Sequence, residues 1–377
     1  MKRRLERVGA IAGALTVALV IAACAGGPDR PKPQPLQPLT PQEVAAPAWS
    51  QRIGAVQFPL TAAIARGSVT VAASDGTVSA FELDTGKELW RASAGTALGA
   101  GVGSDGRFAA VVTRGAELVT LEAGQVKWRK ALGTRVSTAP LVAGERVFVL
   151  GVDRSVQAFD ALDGRKLWSL PRQGDPLTLS QPGVLAAFKD TLVVGQGPRM
   201  VGLDPLGGTT RWDVALASPR GANEVERLAD LVGPAARVGN VLCARAFQAA
   251  VGCVDGDRGT LPWSRNVGGT DAVGADADYV FGADASDRMS AWRVDGGVVA
   301  WTSEALLYRG LSAPAAHGRS VVYGDSEGLL HWLARSDGHA QLRLPTDGSG
   351  LAGPPVSASG MLLVVTRAGG LYAFRAR

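Results

Sequence analysis

Cysteine and histidine are scarce in this chain, with three of each among 377 residues. No two cysteines are adjacent, and His317, His331 and His339 lack the close spacing with which a zinc-protease helix presents its ligands. Long apolar runs are scarcer still. The one that stands out, Val8 to Ala23, has 16 residues, short of the roughly 20 that cross a bilayer as a helix. Periodicity at 3.6 residues is weak throughout, which argues against a helical domain. A concentrated basic face is also missing. The formal net charge is +5, but residues 1–23 hold four basic side chains and one acidic one, and the remainder carries 35 basic against 33 acidic residues. Nucleic-acid binding, which depends on clustered positive charge, is therefore not expected.

Glycine is abundant, at 49 residues, and one glycine-containing pattern returns along the chain. Ala80-Phe81-Glu82-Leu83-Asp84-Thr85-Gly86-Lys87-Glu88-Leu89-Trp90 reads as the end of one strand, a tight turn, and a second strand closed by tryptophan. Asp bonds its own backbone two residues on, and Gly accepts the positive φ of a tight hairpin. Val156–Asp160 runs in the same way into Asp163-Gly164-Arg165-Lys166-Leu167-Trp168, and Met200–Asp204 into Gly207-Gly208-Thr209-Thr210-Arg211-Trp212. Weaker copies end at Trp128, Trp263 and Trp301. Short runs between them, such as Val69–Ala73 and Arg146–Leu150, read as buried strands.

The closing tryptophans at 49, 90, 128, 168, 212, 263 and 301 are 38 to 51 residues apart. A further unit, Leu330-His331-Trp332-Leu333 into Asp337-Gly338, has Leu342 where tryptophan is expected. Leu371-Tyr372-Ala373-Phe374 opens one more unit without a closing strand, and Trp49 lies on a closing strand without opening partners. Together these predict an all-β fold, an eight-bladed β-propeller of four-stranded antiparallel blades over residues 48–377. The N-terminal strand closes the last blade. A tryptophan once per blade is expected to pack on the glycine turn of the neighbouring blade.

The N-terminus differs in character. Met1-Lys2-Arg3-Arg4 followed by the apolar run has the form of an export signal. Ile21-Ala22-Ala23-Cys24 matches the lipobox of bacterial lipoproteins, in which the chain is cut before the cysteine and the cysteine is acylated. An ordinary signal peptide with an incidental cysteine is the other reading. Residue 25 is Ala and not Asp, which by resemblance to lipoprotein sorting in Gram-negative bacteria points to the outer membrane, facing the periplasm. Residues 1–23 are then the signal, Cys24 the lipidation site, and the proline-rich stretch 24–47 an extended tether.

The motif Ala-Phe-(Asp/Glu)-x-x-(Thr/Asp)-Gly-x-x-x-Trp resembles the blade motif of pyrroloquinoline-quinone-type propellers. Three further stretches are family-like: Gly324-Asp325-Ser326-Glu327-Gly328-Leu329-Leu330-His331-Trp332, Leu306–Pro314 and Asn223–Asp230. With the lipobox and tether, the whole chain resembles the BamB family, lipoprotein subunits of the outer-membrane β-barrel assembly machinery. The resemblance implies a non-catalytic scaffold, without cofactor, that binds the periplasmic (POTRA) domains of BamA and assists insertion of outer-membrane β-barrel proteins. It places partner contacts at Leu177, Leu179 and Ser180, and at Arg227 and Asp230. The family has arginine where this chain has Ser180, and a second acidic residue where it has Val232. Unfolded outer-membrane clients are a further expected partner, accepted by strand addition at open blade edges. The rival class is a quinone-dependent dehydrogenase or a ligand-binding propeller. Such dehydrogenases share the blade motif but generally need calcium, a catalytic aspartate and often adjacent cysteines. Asp325 and Glu327 are candidates for that chemistry, but on a tight turn they read as solvated turn residues.

Repeat length points to the same contact regions. From each closing residue to the end of the next central strand the chain takes 19 to 24 residues, except for 27 after Trp168 and 33 after Trp212. Those two connections contain Leu177–Ser180 and Arg227–Asp230. Drift in surface loops is one explanation. Extra length on adjacent blades is also where a binding surface is expected, with the leucines exposed at a loop tip. Cys243 and Cys253 fall on the two strands of one hairpin, where either a disulfide or two buried thiols would fit.

Overall fold

The computed structural model describes residues 31–171, 177–219 and 221–377; the signal segment and Cys24 lie outside them. Eight four-stranded antiparallel sheets are found among the described residues. The first is built from Ala63–Ala65, Ser68–Ala72, Thr77–Glu82 and Glu88–Ser93. Six more repeat it across residues 103–131, 141–170, 185–215, 231–265, 274–303 and 315–345. The eighth takes Val356–Ala358, Met361–Val365 and Gly370–Ala376 from the C-terminus and its outer strand, Ala45–Arg52, from the N-terminus. Trp49 lies opposite Ala373 in that closing pair. The eight-bladed propeller with its N-terminal closure is thus as the repeat predicts.

The middle strands face a neighbouring blade on each side, so they are continuous apolar runs without alternation. Phe108–Val112 and Met361–Val365 are buried at every position. The fourth strands are open to solvent, and Gln125–Ala131 buries Trp128 alone. Hydrophobic burial therefore runs between blades, around the ring, rather than into one central core.

Tryptophan joins the blades. Each of the seven closing tryptophans stands opposite a small partner on the third strand: Ala373, Ala80, Thr120, Ala158, Gly202, Cys253 and Ala291. A register shift beside each of these pairs bends the outer strand, the usual effect of a β-bulge. The ring then lies on the turn glycine of the next blade. Gly164, at φ +72°, leaves the space: a Cβ there would meet the Trp128 ring at 2.6 Å. Trp49, Trp128, Trp168, Trp263 and Trp301 also donate their indole N–H groups to carbonyls of the neighbouring turn, those of Leu83, Ala161, Pro205, Val294 and Arg335, at 2.7–3.0 Å.

Leu342 breaks the pattern for a structural reason. The turn it would cover, between the third and fourth strands of blade 8, does not exist, because those strands come from opposite ends of the chain. Arg377 fills that role instead, its backbone N–H donating to Val44 at 3.1 Å and its guanidinium pairing with Glu43 at 2.9 Å. The aromatic volume has moved across the strand pair: Leu342 faces Trp332, which is fully buried and meets Phe374 of blade 8 edge-on at 5.3 Å.

Part of the expected tether is laid on blade 7. Gln34 N donates to Leu307 O at 2.9 Å and Gln42 N to Gln341 O at 2.8 Å. Leu36 packs on the cluster that contains Trp301, Leu306 and Leu333. The first strand starts at Ala45, ahead of the boundary expected at residue 48. Cys243 and Cys253 are directly paired across their hairpin and form a disulfide, with Cα atoms 4.0 Å apart.

One buried imidazole makes stability depend on pH. His317, 2% exposed on the first strand of blade 7, lies 3.3 Å through Nδ1 from Ser357 Oγ of blade 8. Burial lowers its pKa below the ordinary 6.5, so the folded protein holds it neutral. The unfolded chain takes up the proton first, so this contribution is complete above about pH 6.5 and is lost as pH falls below it. Urea unfolding should show a midpoint that drops between about pH 7 and about pH 5, and a smaller drop in His317→Gln.

Candidate functional site

In an antiparallel meander, the turn between the second and third strands opens on the same end as the link from the fourth strand to the next blade. One face of the ring therefore collects both kinds of loop, and the two overlong connections lie there side by side. They are physically joined. Gly183 and Val232 form an isolated antiparallel bridge, and Gly233 N donates to Pro182 O at 2.9 Å.

The joint is completed by a charge pair. Arg154, in the second turn of blade 3, reaches across to Asp230, its Nε at 3.0 Å and Nη2 at 2.6 Å from Oδ1. The other carboxylate oxygen of Asp230 accepts the backbone N–H of Leu179 at 2.8 Å, and Arg154 Nη2 also donates to Leu177 O at 3.2 Å. Both charged side chains are mostly buried, 13% and 14% exposed. A guanidinium fork can hold several acceptors in one plane, so this pair fixes the paths of both connections at once.

Three of the five residues singled out in sequence are thus brought together: Leu177, Leu179 and Asp230. The leucines are half-buried, not exposed at a tip as expected, because Asp230 and Arg154 hold their backbone down on the ring. Ser180 is exposed beside them. Arg227 is half-buried and donates to Gly221 O, within its own connection, at 3.3 Å. The most exposed large apolar residue of this region is Val225, at 71%, which the sequence reading passed over. It borders a cleft with Leu228, Phe247 and Leu261. Arg154 was also missed. Its partner is 76 residues away, and nothing in the spacing of the repeat announces the contact.

Of the two acids on the blade 7 turn, Glu327 is exposed as expected but Asp325 is not. Asp325 is 1% exposed and accepts from Arg309 Nε at 2.9 Å and from His331 Nε2 at 3.0 Å. Burial alone would raise its pKa; the hydrogen bonds from His331, Leu329 N–H and Arg309 outweigh that and hold it below the usual carboxylate range. Glu327 is exposed but also pairs with Arg309, which in turn donates to Gln34 O of the N-terminal segment. The group anchors that segment. The same turn carries a Gly-x-Ser-x-Gly spacing, Gly324 to Gly328, but on a hairpin rather than a strand-to-helix elbow. Ser326 borders the central cavity and donates to Arg309 O at 2.8 Å, whereas His331 borders a different cavity, under the N-terminal segment. The two do not form a nucleophile–base pair. Among the described residues no group of three or more His, Cys, Asp or Glu side chains is arranged to hold a metal ion.

A family model described as outer membrane protein assembly factor BamB matches residues 74–303. The chain belongs to the BamB family. It is 33% identical to outer membrane protein assembly factor BamB of Burkholderia pseudomallei, over 99% of both chains. The crystal structure of BamB from Moraxella catarrhalis superposes with a TM-score of 0.79 at 23% identity, covering 88% of this chain and all of that one. Quinohemoprotein alcohol dehydrogenase from Comamonas testosteroni shares the fold, with a TM-score of 0.65 at 15% identity over 89% of this chain and 78% of that one. BamB-family membership thus accounts for the blade motif, and the dehydrogenase likeness is one of architecture.

If Arg154 and Asp230 act as one joint in this BamB-family chain, each of Arg154→Ala and Asp230→Ala should lower stability by about 1.5–3 kcal/mol. The double variant should lose little more than the worse single one, because both remove the same contact. Urea unfolding of the four proteins checks it; additive losses would mean that the two side chains act separately.

Proposed function

We propose that this chain is a non-catalytic, lipid-anchored scaffold of the outer membrane that docks the periplasmic domains of BamA through the joined connections of blades 3 to 5. Its relatives carry the name outer membrane protein assembly factor, and it is similar to them over almost its whole length. The observation that carries the docking surface is the joint itself: two connections longer than the rest, tied to each other by Arg154, Asp230 and the Leu179 amide. A loop surface fixed before binding loses less entropy on association than a mobile one.

In this reading Leu177, Leu179 and the neighbouring Ser180 touch the partner, and Asp230 holds them in position from beneath. Arg227 and Val225 border the contact. Half-buried leucines on a rigid base suit the centre of an interface, where a few well-packed side chains carry most of the binding energy. Acylation at Cys24 would hold the propeller at the membrane, where two or more chains on one residue give stable anchoring.

Two variants separate the halves of this reading. Leu177→Ala combined with Leu179→Ala should weaken binding to purified BamA periplasmic domains at least about tenfold, while the melting temperature and circular dichroism stay native. Cys24→Ser should move the protein from membranes to the soluble periplasmic fraction. Full binding by the folded leucine variant, or full membrane retention of the cysteine variant, would contradict the corresponding half.

A further inference from the structure

Next to the leucine platform, on the same face, lies a polar cavity of about 240 Å³ at the junction of blades 1 to 3. Its rim carries Arg114, in the second turn of blade 2, and Arg135, in the connection to blade 3; Gln57, Thr113 and Phe58 are among its walls. Both arginines are exposed, and neither lies within ion-pair distance of a carboxylate among the described residues. Arg114 donates to Gln57 Oε1 at 3.1 Å, a neutral acceptor. No carboxylate lines the cavity. The acids on adjoining turns are already engaged: Glu117 by Arg129 at 2.9 Å, Asp153 by Ser155 and Asp75 by Thr77 N–H. Arg154, Arg288 and Arg309 on this face each have a carboxylate partner, whereas Arg227 donates to the Gly221 carbonyl.

The cavity is continuous with the platform. Residues 135 to 138 form one short stretch in which Arg135 and Val136 border the cavity, while Ser137 Oγ donates to Gln181 O at 2.9 Å and Thr138 Oγ1 accepts Gly183 N–H at 2.9 Å. Arg135 O in turn accepts Val152 N–H, two residues before Arg154, at 2.9 Å. A partner seated on Leu177 and Leu179 and extending toward blade 2 therefore meets two guanidinium groups that lack counter-charges, around a recess large enough for a side chain.

We infer that Arg114 and Arg135 form a second contact for the protein docked on the leucine platform, receiving a carboxylate side chain from an acidic segment of that partner. This rests on the docking reading above for its partner, while its chemistry rests on the cavity alone. Guanidinium groups bind carboxylates through paired, charge-assisted hydrogen bonds, and an exposed site of this kind is screened by salt. The leucine contact is not screened in that way. The two parts of the interface are thus separable by ionic strength.

The experiment compares the wild-type protein, Arg114→Gln with Arg135→Gln, and the leucine double variant. Two probes are used, purified BamA periplasmic domains and a synthetic hexaglutamate peptide, each at about 50 mM and about 500 mM salt. The arginine variant should bind the domains about tenfold more weakly at low salt and like wild type at high salt, and should lose peptide binding. The leucine variant should keep peptide binding and lose the domains at both salt concentrations. Absence of domain binding by the wild type would sink the docking reading and leave the peptide to decide the cavity. An arginine variant that matches wild type with both probes, or with the peptide when the domains do not bind, would overturn the inference.

Discussion

A tryptophan from the outer strand of one blade lying on the glycine turn of the next is the contact on which the rest of this molecule depends. A four-stranded blade cannot bury both of its faces alone; it needs a neighbour on each side. The flat indole covers the neighbour's turn, and in five of the seven contacts its N–H also ties a carbonyl of that turn, so each contact sets the angle between two blades. At six of the seven junctions a Cβ on the glycine would enter the ring; at Gly124 the positive φ is the stronger requirement. Seven such contacts and one substitute close the circle, and the circle holds the loops of one face in fixed relation.

That substitute shows what the constraint is. The eighth junction has no turn to cover, and no tryptophan is found there. Trp332 supplies the lost volume from the opposite strand, while Arg377, Glu43 and Val44 join the two chain ends. The N-terminal segment continues the same repair outward, lying on blade 7 above the Arg309, Asp325 and His331 group. Buried charge is used there to fasten a loop. Removing one partner would leave another unpaired in a dry setting, where such groups are costly.

The sequence made the ring legible because the contact that builds it recurs. A turn glycine followed by a tryptophan four residues later, repeated at about forty-residue intervals, is a one-dimensional image of the blade-to-blade contact. Trp49 and Phe374 completed the count. Contacts made once leave no such image. Arg154 reaches Asp230 from another blade, so the sequence alone presents the leucines as a free tip although their backbone is held down. Asp325 looks like any turn aspartate until Arg309 and His331 are seen against it. The shift of aromatic volume from position 342 to 332 was visible as a missing tryptophan, but its cause lies in how the chain ends meet.

On this account the functional face is a single surface, with the joined connections at its centre and the arginine cavity beside them. Hydrogen–deuterium exchange of the full chain, with and without the periplasmic domains of BamA, tests that claim most directly. Protection should appear on binding at residues 177–183 and 227–233, extend to 113–116 and 134–138, and leave the glycine turns of the opposite face unchanged. Protection confined to those glycine turns, or to the outer strands, would place the partner on another side of the ring and contradict the account.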